Sequence, residues 1–359
     1  MKSKTTLLAA SLAVGSTAAF AGGMDRSGQS IAPIFETGTY VELSFGSISP
    51  DVSGTSPIFG YSGDMAPSYT QVSGAYKRDL TDALSMAIII DQPYGADVDY
   101  GSADPGYLLG GSTATVDTVG VTAILRYKLG NGFSVHGGVR NLTASGEVSL
   151  PFLTYDMETS TENDWSWLAG VAYEIPDIAL RASLTYHSDT TIDFDVTESS
   201  IPLGTNASQM QVVMPQSVNF DFQTGIAADT LLMFSARWAE WTETIIDPND
   251  YRTLVGDNLV DHNGDTTSYS LGIGRRFNDK WSGSFAIGYE DATGGLSGNL
   301  SPRDGYTSLT VGAKYQITEQ TAISGGVSYV WLGDTATSIA SEFEDNTAIG
   351  VGLKLSHHF

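Results

Sequence analysis

The chain has no cysteine, which excludes disulfides and a lipid anchor carried on an N-terminal cysteine. It is poor in positive charge: 17 Lys and Arg stand against 41 Asp and Glu, the formal charge is −24, and charged residues make up only 16% of the whole. Phosphate contacts need clustered Lys and Arg, so this balance speaks against nucleic acid as a partner. Long apolar runs are missing too. Beyond the N-terminus nothing approaches the roughly 20 residues of a membrane-spanning helix. If such a chain enters a membrane, it does so as a closed barrel, where every backbone group finds a partner on the next strand.

What is present begins with a leader. Lys2 and Lys4 precede the apolar run Leu7 to Val14, and small residues follow to Ala19, Phe20 and Ala21. A charged start, a short apolar core and a small-x-small end read as a secretory signal over residues 1–21, cleaved after Ala21. Glycine is abundant, at 40 residues, and 17 Tyr outnumber 14 Phe.

The rest alternates with a period of two. In the last stretch, Thr347 to Phe359, apolar side chains fall at Ile349, Val351, Leu353, Leu355 and Phe359, with Gly, Lys, Ser and His between them. That is a strand with one apolar and one polar face. The chain ends on it, so its partner lies elsewhere, and the first strand, Tyr40 to Ile48, is the natural one. Between these two, short turns such as Gly130-Asn131-Gly132 and Asn278-Asp279-Lys280 alternate with long Gly/Asp/Ser connections such as 91–115 and 247–265. The count is about fourteen strands, and the turn asymmetry is that of an outer-membrane barrel. The expectation is an all-β transmembrane antiparallel barrel over 39–359, preceded by a short N-terminal plug or tail over 22–38.

Side-chain parity supports the membrane assignment. If the apolar face meets lipid, Lys77, Arg126, Lys128, Arg140, Arg181, Arg237, Arg276 and Lys314 face the lumen, and Arg275, close to a turn, is the exception. A Lys or Arg facing mid-bilayer lipid would cost about 2–4 kcal/mol, so a barrel sorts its cations inward. Tyr127, Tyr173, Trp238, Trp281, Tyr289, Tyr315, Tyr329 and Trp331 fall near strand ends, where interfacial aromatic girdles sit.

Several segments resemble one family in order and spacing. Met214 to Val218 followed by Trp238 to Trp241, Arg181 to His187 upstream, Ser301 to Tyr306, Gly312 with Tyr315, and Gly325 to Tyr329 are similar to the FadL-type outer-membrane transporters. The likeness is best from Ile178 to Phe359. It implies a fourteen-stranded barrel in a Gram-negative outer membrane, an N-terminal hatch that gates the lumen, and long-chain fatty acids or aromatic hydrocarbons as cargo. It also implies that the assembly machinery reads the terminal Phe359. The chain departs from the family at its start: the usual hatch is longer and holds an Asn-Pro-Ala segment, whereas 22–38 has only Ala32-Pro33.

Such a transporter needs no cofactor and no reaction. It needs an apolar path, worth about 0.8 kcal/mol per buried CH₂, and a cation if the cargo carries a carboxylate. Exposed loop apolars that can begin the path are Tyr107, Leu108 and Leu109, with Met210, Val212 and Met214 further on. The lumenal cations favoured for a carboxylate are Arg140, Arg181 and Arg237. The expected partners are the hydrophobic cargo, outer-membrane lipids and the barrel-assembly machinery. Asp261 to Asp265 resembles the opening of a calcium loop, but position 12 is Gly272 where the loop needs Glu, so no metal site is assigned. The five His, at 136, 187, 262, 357 and 358, have no nucleophile marked beside them, so no catalytic set is assigned. A general diffusion porin for small polar solutes is the alternative.

Overall fold

A computed structural model describes residues 23–359. The leader expected over 1–21 lies outside the described residues. Fourteen strands close an antiparallel ring: β1 (Thr39–Asp51), β2 (Tyr69–Asp79), β3 (Leu84–Asp91), β4 (Thr113–Gly130), β5 (Phe133–Leu150), β6 (Glu162–Ile175), β7 (Leu180–His187), β8 (Ser217–Ala227), β9 (Thr230–Ala239), β10 (Thr266–Arg276), β11 (Trp281–Glu290), β12 (Tyr306–Gln316), β13 (Thr321–Leu332) and β14 (Thr347–His358). Each pairs with the next in sequence, and β14 pairs with β1 from Tyr40↔His358 to Asp51↔Thr347. The seam expected from the last stretch is therefore the one observed. Phe359 adds a bond beyond the ladder, its N–H donating to the Thr39 carbonyl over 2.9 Å.

The alternation sorts side chains as lipid requires. Val121, Leu125, Val311, Val351 and Leu353 point out and are exposed, while Lys77, Arg126, Arg140 and Arg237 point in and are buried. Lys77 reaches Asp79 and Arg126 reaches Glu174, so these inward cations are neutralised within the lumen. Lys128 and Arg276 sit by the short turns, where they remain accessible.

The long connections correct the sequence reading. Much of what composition marks as loop is strand. β4 and β5 are paired strands of 18 residues each, far beyond the 8 of β3, and 190–200 and 204–214 form a hairpin that pairs along its whole length. Tyr155–Thr159 joins this hairpin to the top of β5. Asp, Thr, Ser and Gly on the wet face of these extensions mask a period of two that Ile192, Phe194 and Val196 still carry. Higher still, five short segments from three loops form a small sheet, with Phe343 fully buried against Gly54.

Candidate functional site: two cavities and the segment between them

The residues from Gly23 to Gly38 lie inside the barrel. The turn of 3-10 helix Ala32–Phe35 begins beside Pro33, which fixes the backbone at a first-turn position. Its Ile34 and Phe35 bury against Ala75, Ala87, Ile89 and Ile124 of the wall. Phe35 lies beneath two guanidiniums, Arg126 at 4.6 Å and Arg181 at 4.7 Å from its ring centre.

Higher up, the segment is held by charge and backbone bonds. Arg237 donates through Nε to Asp25 over 2.5 Å and through Nη1 to Ser217 and Asn219. Arg26 reaches Asp97 at 2.5 Å and lies over the Tyr69 ring. Gly95 permits this arrangement: a Cβ there would come within 2.4 Å of the Arg26 guanidinium. Trp241 is fully buried and packs on Gly23, where a φ of +66° and the 2.6 Å that would separate a Cβ from the ring exclude any side chain.

Two cavities flank the segment. The outer pocket, about 150 Å³, is lined by Gly23, Met24, Val98, Phe194, Met210, Val212, Met214, Leu259 and Val260. Its charged lining includes Asp261, Glu290, Asp291 and Asp304, and Arg303 is its one Lys or Arg among the described residues. Arg303 Nη2 donates to the Gly23 carbonyl over 2.7 Å. His262, in the loop before β10, packs its ring 5.2 Å from Trp241, and burial pushes its imidazole down to about 4, with Arg303 adding to the effect and Asp261 opposing it. At neutral pH it is therefore uncharged.

The inner cavity, about 470 Å³, is larger and more polar. Ser27, Gly28, Pro33 and Glu36 of the segment line it, with Arg181, Arg237 and Lys354 from the wall. It also borders a breach in the barrel. β3 pairs with β2 only from Asp79↔Ser85 to Gly74↔Ile90, so Tyr69 to Ser73 has a ladder partner on β1 alone. Beyond Asp91 the chain turns inward at Gln92, Pro93 and Tyr94. Pro93 has no N–H to continue a ladder. The Gln92 side chain takes the place of a strand, accepting from the Val72 N–H over 2.9 Å. The inward turn is pinned to the N-terminal segment by an Asp25↔Tyr94 bridge, with Arg26 N–H donating to the Pro93 carbonyl and Gly95 N–H to the Met24 carbonyl.

The residues singled out from sequence separate into four places. Met210, Val212 and Met214 come together on the outer pocket, on a strand and not in a loop. Arg181 and Arg237 line the inner cavity. Arg140 is buried in the wall and donates to Thr122, lining neither. Tyr107 and Leu109 are buried rather than exposed, and Leu108 is half-buried. Tyr107 stacks on Tyr100 at 5.7 Å and bonds Ser341, so this triplet packs loop on loop. Its apolar side chains turn inward because the loop folds back over the barrel. Arg303, His262 and Trp241 were not singled out. Arg303 sits in the Ser301 to Tyr306 motif, but a Pro-Arg-Asp-Gly string reads as a turn, and only the fold aims the guanidinium at a pocket.

The outer membrane protein transport protein model (OMPP1/FadL/TodX) matches residues 39–357. No curated protein sequence matches the chain. Solved structures share the fold. A FadL homologue from Pseudomonas aeruginosa aligns with a TM-score of 0.74 at 14% identity, over 96% of this chain and 98% of its own. The P. putida toluene transporter TodX gives 0.66 at 13% identity, over 90% and 91%. The Ralstonia pickettii toluene transporter TbuX gives 0.64 at 13% identity, over 91% and 92%.

Proposed function

Because the chain belongs to the OMPP1/FadL/TodX family of outer membrane transport proteins, we propose that it captures small uncharged hydrophobic molecules in the outer pocket. They then pass the N-terminal segment toward the inner cavity and the breach between β2 and β3. The protein is an outer-membrane β-barrel channel for hydrophobic compounds and not an enzyme.

The outer pocket carries the finer reading. Its volume, about 150 Å³, is comparable to that of an engineered apolar cavity of about 150 Å³ that stays dry and accepts benzene. Met210, Val212, Met214 and Phe194 offer a guest apolar contact, worth about 0.8 kcal/mol for each CH₂ removed from water. The carboxylates of Asp261, Asp291 and Asp304 stand around that guest, and among the described residues Arg303 is the one Lys or Arg in the lining. An anion entering there meets a repulsive field that an alkane or an arene does not feel. Two structural neighbours are themselves toluene transporters by name.

A second reading rests on the inner cavity. Arg181 lines it and has no carboxylate within 4.0 Å among the described residues, its Nη2 donating to Gln223 at 3.1 Å. A long-chain fatty acid could set its carboxylate on that guanidinium and lay its chain along the lumen. The diffusion-porin alternative is weakened because the N-terminal segment fills the lumen between the two cavities.

Uptake in a strain lacking its own hydrophobic transporter tests the proposal. Toluene and an alkane should enter faster with the protein than without it, and oleate should gain less. Uptake of neither class, together with free conductance to salts and sugars, would give the case to the porin.

A further inference from the structure

We propose that Arg303 is the specificity-determining residue of the outer pocket, holding an uncharged single-ring aromatic ligand with its π face on the guanidinium. This rests on the preceding reading of the pocket as a site for small uncharged molecules, and it adds what chooses among them.

The observation is a contrast among arginines of the lumen. Arg26, Arg126 and Arg181 each lie over a protein ring: Tyr69 at 4.1 Å, Phe35 at 4.6 Å and Phe35 at 4.7 Å. Arg237 is buried and consumed by Asp25, Ser217 and Asn219. Among the described residues Arg140 has neither kind of partner, but it is buried in the wall and lines neither cavity. Arg303 has neither kind among the described residues and does line the outer pocket. No aromatic ring lies on its guanidinium, and no carboxylate oxygen comes within 4.0 Å of it. The guanidinium's one hydrogen bond among the described residues runs through Nη2 to the Gly23 carbonyl, at 2.7 Å. That bond engages an edge of the guanidinium plane, and no described protein ring is stacked on either face.

The side chain lines a largely apolar pocket of about 150 Å³. A cation lining such a pocket, with no protein ring over it among the described residues, is what a π system recognises. Attraction to the ring quadrupole strengthens as water is excluded. An alkane of the same volume fills the same space and gains only the apolar burial. A carboxylate finds the same cation but must also approach Asp261, Asp291 and Asp304. The charge pattern therefore selects a neutral ring over both a neutral chain and an acid. Because the same guanidinium holds Gly23, the ligand and the N-terminal segment are read by one side chain.

The test compares toluene with methylcyclohexane, two ligands of nearly one size of which only the first has a π face. Dissociation constants are measured on the purified full chain in lipid nanodiscs, for the parent protein and for Arg303→Gln. The glutamine removes the charge and keeps a planar N–H donor on a shorter side chain. The parent should prefer toluene by about fivefold or more. Arg303→Gln should weaken toluene far more than methylcyclohexane, so that the ratio between the two falls toward one. Arg303→Lys, which restores charge but not the planar fork, should recover part of the preference. A parent that binds both equally, or a glutamine variant in which both weaken together or the ratio holds, overturns the role given to Arg303. Binding of neither ligand by the parent would overturn the underlying reading of the pocket instead.

Discussion

Arg237 and Asp25 meet at 2.5 Å with both side chains buried, one on the wall strand β9 and the other on the N-terminal segment. This contact ties the segment across the lumen, and the Asp25↔Tyr94 bridge ties it to the inward turn beside the breach. Releasing one tie should therefore loosen the other.

Asp25→Asn should leave Arg237 as a buried charge without its counter-ion, a change that costs about 3–5 kcal/mol when such a pair is broken by removing one partner. The barrel itself, held by fourteen ladders, should still form. The expected outcome is a folded, heat-modifiable protein whose conductance in planar bilayers rises and whose N-terminal segment becomes cleavable by added protease. Unchanged conductance and protection would show that the backbone bonds to Pro93 and Gly95 suffice.

Val212→Asp should impair capture, because it puts a charge into the apolar lining of the outer pocket, where desolvation is unfavourable. Affinity for a hydrocarbon should fall about tenfold or more, read by equilibrium binding. Leu109→Asp makes a useful contrast. That side chain is buried in loop packing and does not line the pocket, so the loops should lose protease resistance before affinity changes.

Acid should loosen the loop that carries His262. The His262 imidazole is held down to about 4, against an ordinary value of 6.5, chiefly by burial. A folded-state value below the unfolded one means that the unfolded loop takes up the proton first. Nothing is lost above pH 6.5. Between 6.5 and about 4 the folded loop loses up to about 1.4 kcal/mol per pH unit. Protection factors in 257–265, which correct exchange rates for the pH dependence of an unstructured amide, should therefore fall between pH 7 and pH 5, and His262→Gln should flatten that dependence.

Parity can be read with introduced cysteines, since the chain has none of its own. Cysteines at Val121, Leu125 and Val311 should react with a probe dissolved in lipid. Those at Ser284 and Thr310, which line the inner cavity, should react with a water-soluble one. The reverse pattern would put the register wrong by one residue.

The strand alternation was legible because lipid and lumen impose opposite chemistry on successive residues, so Ile349, Val351 and Leu353 announce a face without any neighbour in view. Met210, Val212 and Met214 were legible as an apolar set for the same reason, although the polar Gln209 before them and Gln211 among them made a strand pass for a loop. Tyr107 and Leu109 misled, because an apolar triplet among Asp and Gly looks the same whether it greets solvent or a neighbouring loop. The division of the cations between two cavities could not be read at all. Arg181 and Arg303 line different cavities because of where the N-terminal segment threads, and that threading depends on contacts such as Asp25 with Arg237, far apart in the chain.

Removing Phe359 should hinder assembly without blocking export. Its N–H bonds the first residue of β1, and its ring meets His357 edge-on at 4.6 Å. Loss of heat-modifiable protein from the outer membrane, with the chain still recovered from the periplasm, is the expected result. Normal yields of folded barrel would remove the terminal residue from the account.

The pairing of β14 with β1 also sets a timetable. Every other ladder of the ring joins strands adjacent along the chain, whereas this one joins its two ends. It has the greatest loop-closure entropy of all the contacts, which places it late. Until the final residues emerge, the growing sheet carries two raw edges and an apolar face with no lipid to cover it, a template for pairing with any other unfinished chain. Those edges stay exposed until the first and last strands meet, so the time the chain spends vulnerable is set by closure of this one ladder rather than by the stability of the finished barrel.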